Sequence, residues 1–395
     1  MTTQPLAPGS LRVGSPTDDG PPLRIALVSE YYYPHFGGVT EHVHFLRREL
    51  RERGHHVDII TSHIGEAPEE PGLFRLGRSR RVYFNGSEAR LTFGVSRTQL
   101  RKLFAAQAYD LVHVHSPLTP TLPLFAVEAA EVPVIGTVHT NFGRSLLYTL
   151  LGRRVQAVAD RLAATIAVSP TAAAAHDRYF DINWHFIPNG VDLQQFRRGI
   201  EAPESMRGHG PYILFLGRLD PRNGLSELIK AFELVAERMP DARLIVVGDG
   251  PLRGYYQRQA AGNPAIRFEG AVKDERGSYY ANATVYACPT TKASFGITLL
   301  EAMACGAPIV CSNIEGFTDV VRNGHDCLMT TLGDSHALAE GLLAVLGDAA
   351  LRRRLSAAGL ETVQRYAWPI VTDQVLALYR EVLAGKGVPR GAPSR

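Results

Sequence analysis

Short apolar runs alternate with amphipathic segments from residue 23 onward, and this alternation constrains the fold more than any other feature of the chain. Residues 23–29 form an apolar, β-branched run, as expected for a strand buried on both faces. Apolar residues in segment 39–50 then recur at helical spacing, and Gly54 follows as a helix-ending residue. Residues 57–61 form the next apolar run. A strand, a helix and a strand in this order predict a parallel sheet.

The alternation continues in two series, which are separated by a polar, glycine-rich linker at residues 197–210. The remaining predicted strands are residues 111–115, 132–139 and 165–168 in the first series, and 212–216, 244–247, 266–268, 285–288 and 309–311 in the second. We therefore predict an α/β protein with two Rossmann-like, doubly wound domains. Its predicted parts are a disordered leader (1–22), an N-terminal domain (23–205), a C-terminal domain (206–366), a helix that crosses back to the N-terminal domain (367–384) and a tail (385–395).

Composition excludes several classes of protein. The 395 residues include 42 basic and 39 acidic side chains, too even a balance for a dedicated nucleic-acid-binding domain, so no nucleic-acid partner is expected. No run approaches the ~20 apolar residues that a membrane-spanning helix needs. The leader lacks the basic and apolar regions of a signal peptide. The four cysteines form no C-x-x-C pair, which argues against a disulfide framework or a zinc site and fits a reducing cytoplasm.

Two doubly wound sheets in tandem place two crevices face to face, because such sheets bind ligands beyond the carboxyl ends of their strands. This geometry suits a reaction between two substrates. No G-x-G-x-x-G follows the first strand, so a dehydrogenase is only weakly indicated, and no D-x-D signals a metal-bridged diphosphate. We expect neither a metal nor another cofactor, so positive charge must come from side chains and helix starts.

Three segments have the chemistry of an anion site. Gly37 and Gly38 precede a predicted helix, where backbone N–H groups can approach an anion. Arg218 follows a strand of the second series, and its guanidinium can bind phosphate through two nitrogens. Residues 294–297 lead from a strand into an apolar helix that carries Glu301. A carboxylate in such a helix needs partners, and ribose hydroxyls are suitable ones.

In this order, the motifs resemble those of the retaining GT-B glycosyltransferases over residues 23–384. The matching segments are Gly37-Gly38, Ile187-Pro188-Asn189-Gly190-Val191-Asp192, Gly217-Arg218, Gly248-x-Gly250-Pro251 and Ser294-Phe295-Gly296…Glu301-Ala302. Within that family, the N-terminal half looks most like bacterial phosphatidylinositol α-mannosyltransferases. Residues 84–94 resemble their acceptor loop, and Thr137-Val138-His139-Thr140 resembles their catalytic histidine segment.

The resemblance implies a nucleotide-sugar donor in the C-terminal half and an acceptor in the N-terminal half. The implied catalytic residues are His139 beside the transferred sugar, Arg218 on the diphosphate and Glu301 on the ribose. The implied donor site comprises Gly37, Gly38, Arg218, Val272, Ser294, Phe295, Gly296, Ile297 and Glu301, with Val272 against the base. The implied acceptor site comprises Tyr31, Asn85, Ser87, Arg90, Thr140 and Arg144.

Two positions depart from the family pattern. Ala293 stands where the family usually has a glutamate that grips the sugar, and Asn223 stands where it has a lysine on the diphosphate. The loss of a charged contact costs ~1.5–3 kcal/mol unless another group replaces it. Arg222 and Lys292 are near enough in sequence to be candidates for that replacement.

We therefore predict a retaining, metal-independent hexosyltransferase that moves mannose from GDP-mannose to a phosphatidylinositol-like lipid. One alternative is a glycosyltransferase that uses a UDP-sugar or a soluble acceptor. Another is a catalytically weak relative that acts as a binding protein, which Ala293 and Asn223 would explain.

A peripheral contact with anionic membrane is a further expectation, and it rests on residues 97–104. Leu100, Leu103 and Phe104 share one face of this predicted helix, with basic residues beside them. Such a face either lies on anionic lipid or packs against the sheet. The expected location of the protein is the cytoplasm, including the inner face of the cell membrane.

Overall fold

Two α/β halves make up the computed structural model, which describes residues 20–65, 69–84, 87–143, 145–208 and 210–385. The described residues form two sheets, and each sheet has apolar core clusters on both of its faces. The predicted fold class, two doubly wound α/β domains, is confirmed. Residues 1–19 of the predicted leader and 386–395 of the predicted tail lie outside the described residues.

The N-terminal sheet has eight strands among the described residues, in the order β4-β3-β2-β1-β5-β6-β7-β8. Its strands are β1 (Arg24–Ser29), β2 (His56–His63), β3 (Leu73–Phe84), β4 (Ser87–Phe93), β5 (Leu111–His115), β6 (Val134–Val138), β7 (Ala164–Ala167) and β8 (His185–Phe186). Its helices are α1 (Gly38–Glu52), α2 (Arg97–Gln107), α3 (Leu122–Ala129), α4 (Leu146–Ala159) and α5 (Pro170–Asp177). All neighbouring strands run parallel except β3 and β4.

The C-terminal sheet has six parallel strands among the described residues, in the order β11-β10-β9-β12-β13-β14. They are β9 (Tyr212–Leu216), β10 (Arg243–Val247), β11 (Ile266–Gly270), β12 (Val285–Cys288), β13 (Ile309–Ser312) and β14 (Leu328–Thr330). The helices are α6 (Leu225–Arg238), α7 (Arg253–Gln259), α8 (Arg276–Asn282), α9 (Ile297–Ala304), α10 (Glu315–Thr318), α11 (Ser335–Gly347), α12 (Ala349–Val363) and α13 (Trp368–Leu383).

Helix α13 returns to the N-terminal half, where its apolar face covers α1. Val371, Val375 and Tyr379 share one buried cluster with Val43 and Leu46 of α1. An ion pair of 3.0 Å between Arg53 and Asp373 closes the edge of this contact. The C-terminal segment of the chain therefore stabilises the first half.

The antiparallel hairpin β3–β4 is an element that apolar patterning does not reveal. Four arginines interrupt β3, so the alternation typical of a half-buried strand is absent from its sequence. Glu30, a buried carboxylate after β1, ties the hairpin to the sheet because Thr92 and Thr121 both donate hydrogen bonds to it. The hairpin therefore packs at the sheet edge next to β2.

Helix α2 decides between the two expectations for its apolar face. Leu100 is fully buried and Phe104 nearly so, in a cluster with residues of β5 and α3. This face packs against the sheet and α3, so the expectation that it lies on lipid is wrong. The apolar surface of the two side chains is removed from water by the protein core and not by a bilayer. No helix in the described part of the chain combines the length and apolarity needed to cross a bilayer.

Candidate active site

Two adjoining cavities lie between the halves, at the carboxyl ends of their strands. The first, of about 370 Å³, contains His139 and is called here the histidine chamber. The second, of about 730 Å³, contains Arg218 and is called the arginine chamber. Gly38, Arg222 and Ile297 line both chambers, which makes them one continuous cleft.

The predicted donor residues converge on this cleft. Those that line the arginine chamber are Gly37, Gly38, Arg218, Val272 and Ile297. Those that line the histidine chamber are Gly38, Ser294, Phe295, Gly296, Ile297 and Glu301. Loops that follow strands of different halves supply them, so the site exists only in the folded chain.

The start of α9 faces the histidine chamber. Gly296 caps the helix with a φ of 95°, a left-handed conformation that favours glycine. A Cβ at this position would lie 2.9 Å from the ring of Phe317, so there is no space for a side chain either. The first backbone N–H groups of α9 therefore stay accessible to an anion.

The loop before α9 is tied to the N-terminal half through Ser294. The backbone N–H of Asn141 donates to Ser294 Oγ at 3.0 Å, and Ser169 Oγ donates to the Ser294 carbonyl at 2.5 Å. The predicted anion site is thus positioned by both halves.

Arg218 extends from the end of β9 into the arginine chamber. Its side chain is 43% exposed, and Asp220 lies 3.8 Å from its Nε. The Asn223 side chain donates to the Arg218 carbonyl at 2.7 Å, so this uncharged residue holds the Arg218 loop. The guanidinium is accessible to a phosphate.

Glu301 is held by two neighbours on its own half. Arg276 Nη1 donates to it at 2.9 Å, and the Tyr280 hydroxyl donates at 3.1 Å. Arg276 also pairs with Glu41 of α1, which joins the two halves beside the cleft. Burial raises the pKa of Glu301 to about 7, and the Arg276 charge opposes that rise. Glu301 therefore takes up a proton more readily than an exposed glutamate does.

His139 belongs to a cluster of buried imidazoles at the ends of β5 and β6. A hydrogen bond of 3.0 Å joins His115 Nδ1 and His139 Nε2, and the His42 ring lies 4.7 Å from that of His139. Asn189 accepts a hydrogen bond of 2.9 Å from His42 Nδ1. Burial lowers the pKa of His42 to about 4 and that of His139 well below its usual value. These rings are neutral at pH 7, so His139 can offer a polar contact but no positive charge.

The same cluster is the group in the described residues whose geometry could accept a metal. Ring nitrogens of His42, His115 and His139 all lie within 4.8 Å of one another. Neutral imidazoles are good ligands for Zn²⁺ and similar ions. Hydrogen bonds to one another and to Asn189 already occupy one nitrogen of each ring. That the protein needs no metal stays a prediction.

The predicted acceptor residues are only partly brought together. Thr140 lines the histidine chamber, whereas Tyr31 and Arg90 line neither chamber and contact each other through Arg90 N–H and the Tyr31 hydroxyl at 3.2 Å. The predicted acceptor residues Asn85 and Arg144 lie outside the described residues, as does the side chain of Ser87.

Three site residues escaped the sequence reasoning: Glu41, His42 and Arg276. His42 occupies an apolar position of the predicted helix, which gave no sign that it meets two further histidines. Glu41 and Arg276 are 235 positions apart, and only the packing of the halves joins them. The sequence signal for these contacts was weak: it consisted of one acidic residue, Glu41, in the first turn of α1.

Comparison with known proteins decides the family. The family model "Glycosyltransferase Family 4" matches residues 36–195, and "Glycosyl transferases group 1" matches residues 210–348. The phosphatidyl-myo-inositol mannosyltransferase of Mycobacterium tuberculosis is 36% identical over 376 residues, which cover 92% of this chain and 98% of the relative. The chain belongs to glycosyltransferase family 4.

Two further comparisons extend this result. The D-inositol 3-phosphate glycosyltransferase of Kribbella flavida is 27% identical over 421 residues, covering 92% of this chain and 97% of the relative. Sucrose-phosphate synthase from Thermosynechococcus elongatus superposes with a TM-score of 0.73 at 24% identity, covering 92% of this chain and 100% of that structure. The protein is thus a hexosyltransferase with the GT-B fold, as the motifs had indicated.

Proposed function

We propose that this glycosyltransferase moves a mannosyl group from GDP-mannose to a phosphatidylinositol-like lipid, with retention of anomeric configuration. The observation that carries the proposal is the convergence of a guanidinium, a helix start and a buried carboxylate on a cleft that ends at a histidine. Arg218, the N-terminus of α9, Glu301 and His139 supply these groups. The name of the M. tuberculosis relative supports mannose and the inositol lipid as substrates.

In this proposal each chamber binds a different part of the nucleotide-sugar donor. The arginine chamber, with Val272 against the base, takes the nucleoside, and the histidine chamber takes the sugar. Arg218 and the α9 amides bind the diphosphate between them. Glu301 binds the ribose hydroxyls, which requires it to share its hydrogen-bonding capacity with Arg276.

Pairing of the cleft carboxylates favours a same-face displacement. Among the described residues, the acidic side chains that line the histidine chamber are Glu41, Asp192 and Glu301. Two arginines pair with all three: Arg276 contacts Glu41 and Glu301, and Arg48 contacts Asp192 at 2.8 Å. A carboxylate bound to a guanidinium is a poor nucleophile for a glycosyl-enzyme intermediate.

In the proposed transfer, one bond to the anomeric carbon breaks and another forms. The bond between the anomeric carbon and the diphosphate oxygen breaks, and its electron pair leaves with the diphosphate. The acceptor oxygen bonds to the anomeric carbon on the same face, and its proton passes to an oxygen of the departing diphosphate. The guanidinium and helix amides stabilise the charge that develops on that leaving group.

The acceptor side has the polarity that a phosphoinositol headgroup needs. Arg90 lies on β4, and its Nε is buried with no hydrogen-bond partner among the described residues. Guanidinium groups form charge-assisted, bidentate hydrogen bonds with phosphate. The lipid tails require an apolar surface as well, and α4 exposes Leu150, which is 73% exposed, next to the exposed Arg153 and Arg154. We propose that this surface contacts anionic lipid at the inner face of the membrane.

Transfer of radiolabelled sugar tests the proposal. Purified protein is incubated with GDP-mannose or UDP-glucose, and with vesicles of phosphatidylcholine alone, with vesicles that also contain phosphatidylinositol, or with free inositol phosphate. We expect label to enter lipid only from GDP-mannose and only with phosphatidylinositol, at a rate that EDTA does not change. Transfer from the UDP-sugar would contradict the proposed donor, and transfer to free inositol phosphate would contradict the proposed lipid acceptor. Absence of transfer from any donor, despite nucleotide binding, would favour the weak relative that Ala293 and Asn223 suggested.

A further inference from the structure

The two cations that line the histidine chamber, Lys292 and Arg222, have no acidic partner among the described residues. Lys292 lies half-buried in the histidine chamber, and Arg222 is an exposed residue that borders both chambers. Neither side chain forms an ion pair with any described carboxylate. The acidic residues of the histidine chamber contact Arg48 and Arg276 instead. Lys292 and Arg222 are therefore available to pair with an anionic ligand in the cleft.

The loops that carry these two cations are fixed against each other. Thr291 donates to the Arg222 carbonyl through its backbone N–H at 2.8 Å and through its hydroxyl at 3.1 Å. Gly224 lies so near the neighbouring loop that a Cβ on it would approach the Pro289 carbonyl oxygen to 2.0 Å. The positions of Arg222 and Lys292 are thus held by backbone contacts, and only their side chains need to move.

We propose that Lys292, with Arg222 beside it, is the second cationic contact of the donor diphosphate and replaces the charge that Asn223 does not supply. The inference rests on the proposed function. Arg218 lines only the arginine chamber, so it meets the diphosphate from the nucleoside side. Lys292 lines only the histidine chamber, so it meets the phosphate that is joined to the sugar. This phosphate gains the electron pair when the glycosidic bond breaks, and a cation there stabilises it.

The binding of GDP and GMP separates this role from a general effect on the fold. Lys292→Gln and Arg222→Gln remove one charge each while keeping a side chain that can form hydrogen bonds. We expect each variant to bind GDP about tenfold more weakly, since a charge-assisted contact is lost, and to bind GMP within about twofold of the wild type. Lys230→Gln is the matched control, because Lys230 is exposed on α6 and lines neither chamber. Isothermal titration calorimetry measures all the affinities.

A charge restored at the neighbouring position provides the converse test. Asn223→Lys in the Lys292→Gln protein should recover most of the lost GDP affinity. If it recovers none, a lysine at position 223 and Lys292 do not bind the same phosphate. Unchanged GDP binding in both single variants, with tight binding by the wild type, overturns the role of Lys292 and leaves the proposed function intact. A wild-type protein that binds neither GDP nor UDP overturns the proposed function and this inference together.

Discussion

Glu301 shows how strongly one residue depends on its surroundings. Its sequence context, an apolar helix, predicts a carboxylate in need of partners, and the structure supplies Arg276 and Tyr280. Arg276 in turn spans to Glu41 on the other half. Two negative charges thus share one guanidinium inside the site. The ionisation of Glu301 then follows from burial and from the charge of Glu41, both of which raise its pKa.

Nucleotide binding should therefore depend on pH through Glu301. Its pKa is raised to about 7, so the carboxylate that we propose as the ribose ligand is lost as the pH falls through that value. We expect GDP affinity to fall about tenfold between pH 8 and pH 6, measured by calorimetry. Glu41→Gln should shift the midpoint to lower pH, because it removes a charge that raises the pKa of Glu301. The phosphate of GDP also titrates, and Glu301→Gln is the control for that effect. If this variant shows the same pH dependence of GDP affinity as the wild type, Glu301 is not its cause.

Individual elements were predicted with uneven success, and the reason is physical. Strand β12 was predicted with its observed bounds, because four consecutive buried residues leave an uninterrupted apolar run. Hairpin β3–β4 was missed because arginines occupy its exposed edge. The apolar face of α2 was recognised, but its sequence could not say whether lipid or α3 covers it. Helical periodicity reveals an apolar face and carries no information about its partner.

Helix α9 provides a test at this scale through its cap. Gly296→Ala forces a side chain into a left-handed conformation and against the Phe317 ring, which should lower stability by about 2 kcal/mol or more. GDP affinity should fall as well, since the first amides of α9 are displaced. Gly152→Ala is the matched control: Gly152 lies inside α4 with no atom within 4 Å of the added Cβ, so the same change should be neutral or slightly stabilising. Thermal unfolding and calorimetry report both effects, and a Gly296→Ala protein with wild-type stability and affinity would contradict the assignment of the cap.

At the scale of the whole molecule, the buried histidines couple the site to the stability of the fold. His113 bridges the Thr137 hydroxyl of β6 and the Tyr379 hydroxyl of α13, each at 2.6 Å. His42 packs against Trp368, at the start of the same helix, with 5.1 Å between ring centroids. The crossing helix thus covers the cluster that contains His139. Protonation of these rings would weaken the packing around His139 and the contact between α13 and the N-terminal half.

Acid should therefore destabilise the protein below pH 6.5. Burial lowers the pKa of His42 to about 4 and that of His113 to about 3, so between pH 6.5 and those values the rings take up protons only on unfolding. Stability is complete above that pH and falls as the pH decreases towards 4, with a limit of about 3 kcal/mol for His42. Differential scanning calorimetry between pH 7.5 and pH 4.5 should show a falling Tm, and His42→Gln should reduce the fall. An unchanged Tm down to pH 5 would mean that the rings are not desolvated.

The sequence, together with its family resemblance, predicted the two doubly wound halves and the residues that line the cleft. These features follow from local signals: runs of apolar residues, helix starts with small residues, and an arginine after a strand. Only the tertiary structure decided that Arg276 links Glu41 to Glu301 and that four histidines share one buried cluster. It also decided that Lys292 and Arg222 lie on touching loops and pair with no carboxylate in the described part of the chain. Such contacts join residues far apart in the chain, and their energies depend on burial and on distances that no local pattern encodes.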